Sequence, residues 1–206
     1  MQALSRTFTP AQAAAVTGVD VKAVHNAIDK HIVVAQSRPG IVKSKRILSE
    51  MAVLKLKLWK EVGGALSQEW RVALFAEIER EPKAKTVKAG DYLIIDVAAA
   101  RKEIERGVKD LTEAESDVST DPTVMGGEPV FKGTRIPVRL VASMLRDGAT
   151  DAELLEGYPK LNARRLELAR VWAAAHPAVG RPKKRPDGSD TPRSSVSLGK
   201  LSGVGA

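Results

Sequence analysis

The sequence predicts a mainly α-helical chain with short β-hairpins, arranged as three small folded parts and a tail. Three observations carry this. Hydrophobic residues make up 43% of the 206 residues but aromatic residues only 4%, so the cores must be built from Ala, Val, Leu and Ile, which suits small helical domains. Capped helix starts alternate with turns centred on Gly and Pro. From residue 177 onwards the chain is Pro, Gly, Ser and basic residues, a composition expected to be disordered alone. The parts run over 1–62, 63–118 and 119–178, with the disordered basic tail over 179–206.

The first part reads helix, turn, helix, hairpin, helix. Thr9-Pro10-Ala11-Gln12 is a full helix start, in which Thr9 caps, Pro10 fits the first turn and Gln12 reaches back to close the box. Gly18 ends that helix, and Asp20 caps the next, expected to run to about Ile32. Val33-Val34 and Ile41-Val42 flank the turn signal Arg38-Pro39-Gly40 and predict a hairpin; a helix over about Ser49 to Val62 follows.

The middle part is expected to be α+β. A helix over Gln68 to Glu81 carries Trp70, Leu74, Phe75 and Ile78, and Thr86-Val87 and Tyr92 to Ile95 predict a hairpin around Ala89-Gly90-Asp91. A helix from Val97 to about Ala114 puts Val97, Ile104, Val108 and Leu111 on one stripe, close to a heptad seam. This stripe and the helix around Trp70 and Phe75 have two readings, the surface of a homodimer or the inside of a monomer.

In the third part, Pro129 to Val138 reads as a tight extended turn around Lys132-Gly133-Thr134, with Pro137 starting a helix. Helices are expected at about 138–147, 150–157 and 162–175, with Tyr158-Pro159 as a helix stop. Val141, Leu145, Leu154, Leu155, Leu161, Leu168 and Val171 supply a small core.

Charge is unevenly spread. Of the net +8, residues 1–60 hold +7, residues 61–118 hold −4, residues 119–178 hold +1 and residues 179–206 hold +4. A basic end on an acidic middle fits a phosphate-binding module on a neutral scaffold; solubility alone is the other reading. The absence of Cys excludes disulfides and thiolate metal sites. No apolar run is long enough to span a bilayer, and the first residues lack a secretion-signal core, so a soluble cytoplasmic protein is the expectation. His25, His31 and His176 do not fall at metal-ligand spacing with carboxylates. Neither a nucleophile elbow nor a phosphate loop is present. No enzyme activity, metal or cofactor is expected.

A helix-turn-helix needs a small residue where its helices touch, a residue that tolerates positive φ in the turn, and a branched apolar residue facing inward from the second helix. Ala14, Gly18 and Val24 meet these needs in order. The second helix then exposes Lys22, His25, Asn26, Asp29 and Lys30, with Lys22, Asn26 and Asp29 on one face. Asn reads adenine and Lys reads guanine or phosphate in the major groove. The alternative is an ordinary helical hairpin with a solvated face. Thr9, Ala13, Ala14, Thr17, Gly18 and Val19 match the opening run of the MerR regulator family, so residues 7–60 resemble its winged helix-turn-helix. The match stops at the second helix, where His25, Asn26 and Ala27 replace that family's arginine and aromatics. The resemblance implies that Arg38, Lys43, Lys45 and Arg46 are wing contacts to phosphate; solvent-facing charge is the other reading.

Residues 126–160 carry Gly127-Glu128-Pro129-Val130, Lys132-Gly133-Thr134-Arg135-Ile136-Pro137-Val138, Asp147-Gly148 and Tyr158-Pro159. This run resembles the bacterial domain-of-unknown-function family 433. The resemblance implies a compact helical, helix-turn-helix-like domain that acts as antitoxin to a toxin with a PIN-type nuclease fold. Arg135 has two readings, a structural ion pair or a contact to that toxin. Arg139 is expected to pair with Asp147, Asp151 or Glu153, and Arg164 and Arg165 can touch DNA only if this part binds it too. The tail arginines Arg181, Arg185 and Arg193 suit an acidic nuclease site, because a guanidinium pairs with two carboxylate oxygens at once; a solubilising tail and a non-specific DNA contact are the other readings. The function expected is that of a type II antitoxin that binds a PIN-like toxin and represses its own operon as a homodimer on operator DNA. A stand-alone transcriptional regulator and a protein–protein adaptor are the alternatives.

Overall fold

The computed structural model describes residues 6–37, 46–90 and 92–178. Among them the chain is mainly helical, with short antiparallel strand pairs. Helices α1 (Pro10–Thr17) and α2 (Val21–Asp29) precede strands β1 (Ala35–Ser37) and β2 (Arg46–Leu48), then α3 (Glu50–Val62) and α4 (Gln68–Arg80). Strands β3 (Thr86–Lys88) and β4 (Ile94–Asp96) lead into the long helix α5 (Val97–Asp117). Strands β5 (Val118–Ser119) and β6 (Val130–Phe131) precede α6 (Val138–Arg146), α7 (Asp151–Gly157) and α8 (Ala163–Ala175). Each strand pair, β1 with β2, β3 with β4 and β5 with β6, is its own two-stranded sheet.

Capping residues start most of these helices where the sequence places them. Thr9 and Gln12 form the reciprocal box at α1, and Thr150 and Glu153 form a second at α7. Ser49, Ser67, Asp96 and Asn162 each accept a backbone N–H in the first turn of α3, α4, α5 and α8, satisfying donors that a helix leaves orphaned.

Helix α5 is the spine of the molecule. Val97 and Ala100 are buried in a core with Leu54, Leu58, Leu74, Ile78, Val87 and Ile95. Ile104 packs against that core and also against the one built on Phe8, Ala13, Val24, Leu48 and Val53, into which Leu111 is fully buried. Three residues on, Ala114 enters the third core, with Phe131, Val138, Val141, Leu154, Leu166 and Trp172. Helix α8 returns along the spine, and its Val171 and Ala175 reach the first core. The three cores thus share elements far apart in sequence.

Four local expectations are corrected. Helix α2 stops at Asp29 rather than near Ile32, because Lys30 caps it and His31 takes a left-handed φ of +55°. The first hairpin pairs Ala35 with Leu48 and Ser37 with Arg46, so Val33-Val34 precede the strand instead of forming it. Val33 is buried and Val34 is 77% exposed. Pro137 is the cap before α6, not its first residue. Arg139 does not pair with Asp147, Asp151 or Glu153. Its guanidinium donates to the carbonyl of His176 at 2.7 Å and lies 4.9 Å from the Trp172 ring centre. The carboxylates are taken by closer partners, with Arg170 on Asp151 at 2.9 Å and Glu153 on the Thr150 N–H.

Candidate nucleic-acid interface

The second helix is held from three sides. Gly18, at φ +68°, turns the chain between α1 and α2 and donates its N–H to the Ala14 carbonyl. Its own carbonyl accepts from Lys60 Nζ of α3 at 3.0 Å. Asp20 accepts the Lys22 N–H at 2.8 Å and so starts α2. Val24, Ala27 and Ile28 anchor the inner face in the first core. That leaves Lys22, Ala23, His25, Asn26, Asp29 and Lys30 exposed on the outer face.

The hairpin β1–β2 stands beside this face. Phe8 bridges Leu48, with hydrogen bonds of 2.9 and 2.8 Å in the two directions, and fixes the hairpin base to the start of the chain. Arg46, the first residue of β2, donates to Asp29 Oδ1 at 2.8 Å, and both side chains stay about half exposed. Arg38, Lys43 and Lys45 lie outside the described residues.

Asn26 and Lys30 also line a groove of about 630 Å³ between α2 and the α3–α4 pair, together with Trp59, Gln68 and Arg71. The Arg71 guanidinium lies 4.9 Å from the Trp59 ring centre and donates to the Gly63 carbonyl at 3.1 Å. Sequence reasoning missed Arg71 at this place. It sits on α4, and only the α3–α4 turn brings it beside α2.

In the C-terminal part, Gly133 at φ +74° makes the turn after β6. The Thr134 hydroxyl locks it by donating to the Phe131 carbonyl at 2.9 Å and accepting the Ile136 N–H at 3.0 Å. Arg135 is presented exposed from this locked turn. It borders a groove of about 710 Å³ with Val124, Ile136 and Lys160. Asp121, also on that groove, is held below the usual carboxylate range by the Thr123 hydroxyl and N–H. Arg181, Arg185 and Arg193 lie outside the described residues.

Arg164 and Arg165 are turned to the spine. Arg164 holds Asp110, Glu113 and Glu167, and Arg165 grips Asp117 with both oxygens at 2.9 Å. The hydrogen bond from Arg164 holds the Glu113 carboxyl below its ordinary range, and the guanidinium pKa is raised in turn. Among the described residues no group of His, Asp or Glu is placed to hold a metal ion, and no helix is long and apolar enough to cross a membrane.

Residues 118–173 match the family described as "Protein of unknown function (DUF433)". A Sinorhizobium fredii protein, "Uncharacterized protein y4eO", is 28% identical, over 88% of this chain and 86% of that protein. The crystal structure of Rv2018 from Mycobacterium tuberculosis covers 79% of this chain and 96% of its own, at 15% identity and a TM-score of 0.32. A likeness that loose carries nothing further about this chain.

Proposed function

We propose that this protein is a DNA-binding repressor that also acts as the antitoxin of a PIN-like toxin. The observation that carries the DNA half is the outer face of α2. Lys22, His25, Asn26 and Lys30 are all exposed there, on a helix fixed by Gly18 and Asp20 and flanked by a hairpin that brings Arg46 alongside. This is the arrangement a winged helix-turn-helix offers a major groove, with amide and ammonium groups for base edges and a guanidinium for phosphate.

Two copies on a two-fold operator are part of this proposal, since one such module buries little surface on DNA. The α5 stripe is committed to the monomer's own cores. A second copy is therefore proposed on the exposed apolar side chains of α4 and the second hairpin, Trp70, Val72, Tyr92 and Ile94. The antitoxin half rests on the family resemblance of the C-terminal part and on Arg135, which stands exposed on a locked turn. A regulator with no toxin is the second reading, since the exposed outer face of α2 carries it without any partner for Arg135.

The test of the first half is a salt titration of full-length protein on its own promoter. Affinity should fall steeply with salt, and Asn26→Ala should cost about 1–3 kcal/mol at the cognate site while sparing random DNA. Affinity indifferent to salt sinks the DNA half. For the second half, the full chain, a chain ending at residue 178 and Arg135→Glu are each co-expressed with the product of the adjacent gene. Rescue from toxicity that Arg135→Glu abolishes supports the antitoxin reading, whereas failure of the full chain to rescue or co-purify leaves the regulator without a toxin.

A further inference from the structure

Lys22, Asn26 and Asp29 stand at i, i+4 and i+7 on α2, so the outward line of this helix ends in an anion. A negative charge on a surface that meets a polyanion is repelled by every nearby phosphate. It persists there with its charge half masked, because Arg46 Nη1 donates to Asp29 Oδ1 at 2.8 Å. Both side chains remain about half exposed, 59% for Asp29 and 47% for Arg46. Exposed pairs of this kind add little to folding stability. The pair uses one guanidinium N–H and one carboxylate oxygen, and among the described residues the second oxygen of Asp29 and the other N–H groups of Arg46 meet no further side-chain partner.

We propose that Asp29 is a base-reading residue that accepts a hydrogen bond from the exocyclic amino group of cytosine in the major groove, with Arg46 positioning its carboxylate and meeting the adjacent phosphate. This rests on the reading of α2 as a DNA-recognition helix. A carboxylate only accepts hydrogen bonds, so guanine O6 and N7 and thymine O4, which also only accept, are excluded as its partners. Cytosine N4 is the usual partner of an acidic side chain in this groove. Lys22 and Asn26, two turns and one turn before Asp29 on the same line, offer the complementary chemistry, a donor for guanine and an amide for adenine. The line therefore reads three different edges in series. Arg46 offsets the repulsion between Asp29 and the DNA backbone while its remaining N–H groups donate to phosphate.

The experiment is selection of bound duplexes from a randomised library, sequenced after enrichment, with full-length wild type, Asp29→Asn, Asp29→Ala and Arg46→Ala. Wild type should enrich a motif with cytosine at one position, preferred on the order of tenfold. Asp29→Asn should change that one position from cytosine to adenine. Asp29→Ala should erase the preference there, keep the rest of the motif and bind random DNA more tightly, since one negative charge is gone. Arg46→Ala should weaken binding to every duplex, flatten the salt dependence by about one contact and blur the cytosine position. Matching melting temperatures exclude misfolding as the cause. If both Asp29 variants select the wild-type motif, Asp29 reads nothing and the inference falls while the DNA reading stands. If wild type enriches no sequence and shows no salt-dependent affinity, the DNA reading falls and takes this inference with it.

Discussion

Gly107 sits in the middle of α5, where sequence alone reads it as a weak point. A Cβ built on it would come 2.5 Å from the carbonyl oxygen of Val16, at the C-terminal end of α1. The two effects of Gly107→Ala oppose each other. Helix propensity gains about 1 kcal/mol, while forcing two packed backbones apart costs about 1–3 kcal/mol. The contact is with backbone, which cannot swing away, so the clash wins. A net loss of about 0–2 kcal/mol is expected in urea unfolding, and a raised midpoint would show that α1 and α5 separate freely. Lys57 is the other residue whose surroundings decide its role. It is only 8% exposed and holds Glu61 at 2.9 Å and Glu103 at 2.6 Å. Burial pulls its pKa down, but the hydrogen bonds and charges of the two carboxylates outweigh that and raise it above 10.5. Lys57 in turn holds Glu61 below its usual 4.5. The stabilisation from Lys57 is therefore full below 10.5 and is lost as pH rises through the higher folded value. The part from Glu61 is full above 4.5 and is lost as pH falls through the lower folded value. Lys57→Met should remove this contribution where it is full, around neutrality, and so flatten the stability curve at both its acid and alkaline ends. An acid limb as steep as that of wild type would contradict this account of Glu61.

At the scale of elements, α8 is fastened to α5 by neighbouring arginines in unlike settings. Arg164 makes the larger number of ion pairs, yet its side chain is 40% exposed and water screens them. Arg165 has one carboxylate partner, but the contact is bidentate, the side chain is 21% exposed and the guanidinium lies 5.5 Å from the Phe131 ring centre. It also donates to the carbonyls of Lys132 and Lys160, tying the turn after β6 and the middle of the α7–α8 connection to one point. Removing Arg165 should therefore cost more than removing Arg164. About 1–2 kcal/mol is expected for Arg165→Met, and less than about 1 kcal/mol for Arg164→Met. Urea midpoints of the two variants compare them directly, and the reverse order would show that the number of pairs matters more than burial. The same contacts decide the use of these residues. Arg164 and Arg165 face the spine, whereas Lys22, Asn26 and Arg135 face water.

Over the whole molecule, the shared cores have a consequence for dissection. Val171 and Ala175 of α8 pack in the core that carries α1 and α2. A chain ending at residue 118 would keep α5 but uncover Ala13, Leu111 and Ala114, which are now at most 1% exposed. That shortened chain is expected to lose its cooperative melt. The chain ending at residue 178 should retain it, since it keeps every described element. Far-UV circular dichroism should coincide with the fluorescence of Trp59, Trp70 and Trp172, which sit on α3, α4 and α8. Separate transitions from the two probes would mean that the cores unfold independently. For the same reason, loss of DNA binding on removal of the C-terminal part would report on the stability of α1 and α2, and point substitutions are the sounder probe of function.

Much of the fold was legible from local signals. The caps at Thr9 and Asp20, the left-handed turn at Gly18 and the turn at Gly133 depend on a few adjacent residues, so the sequence determines them directly. The outward face of α2 was legible for the same reason, because a 3.6-residue period sorts Val24 and Ile28 from Lys22 and Asn26 without any knowledge of neighbours. Hairpin register was not legible at β1–β2, since the pairing of Ala35 with Leu48 depends on Phe8 bridging from outside the hairpin. Only the tertiary structure decided whether the stripe of Val97, Ile104, Val108 and Leu111 faces a second copy or the monomer's own cores, because an apolar stripe is the same in sequence whatever covers it. Only it could show that Gly107 is a point of contact, that Arg139 caps α8 instead of joining a carboxylate, and that Arg46 lies on Asp29. Each of these joins residues 17 or more positions apart. No local rule reaches that far, and packing among the helices settles which of the possible partners is met.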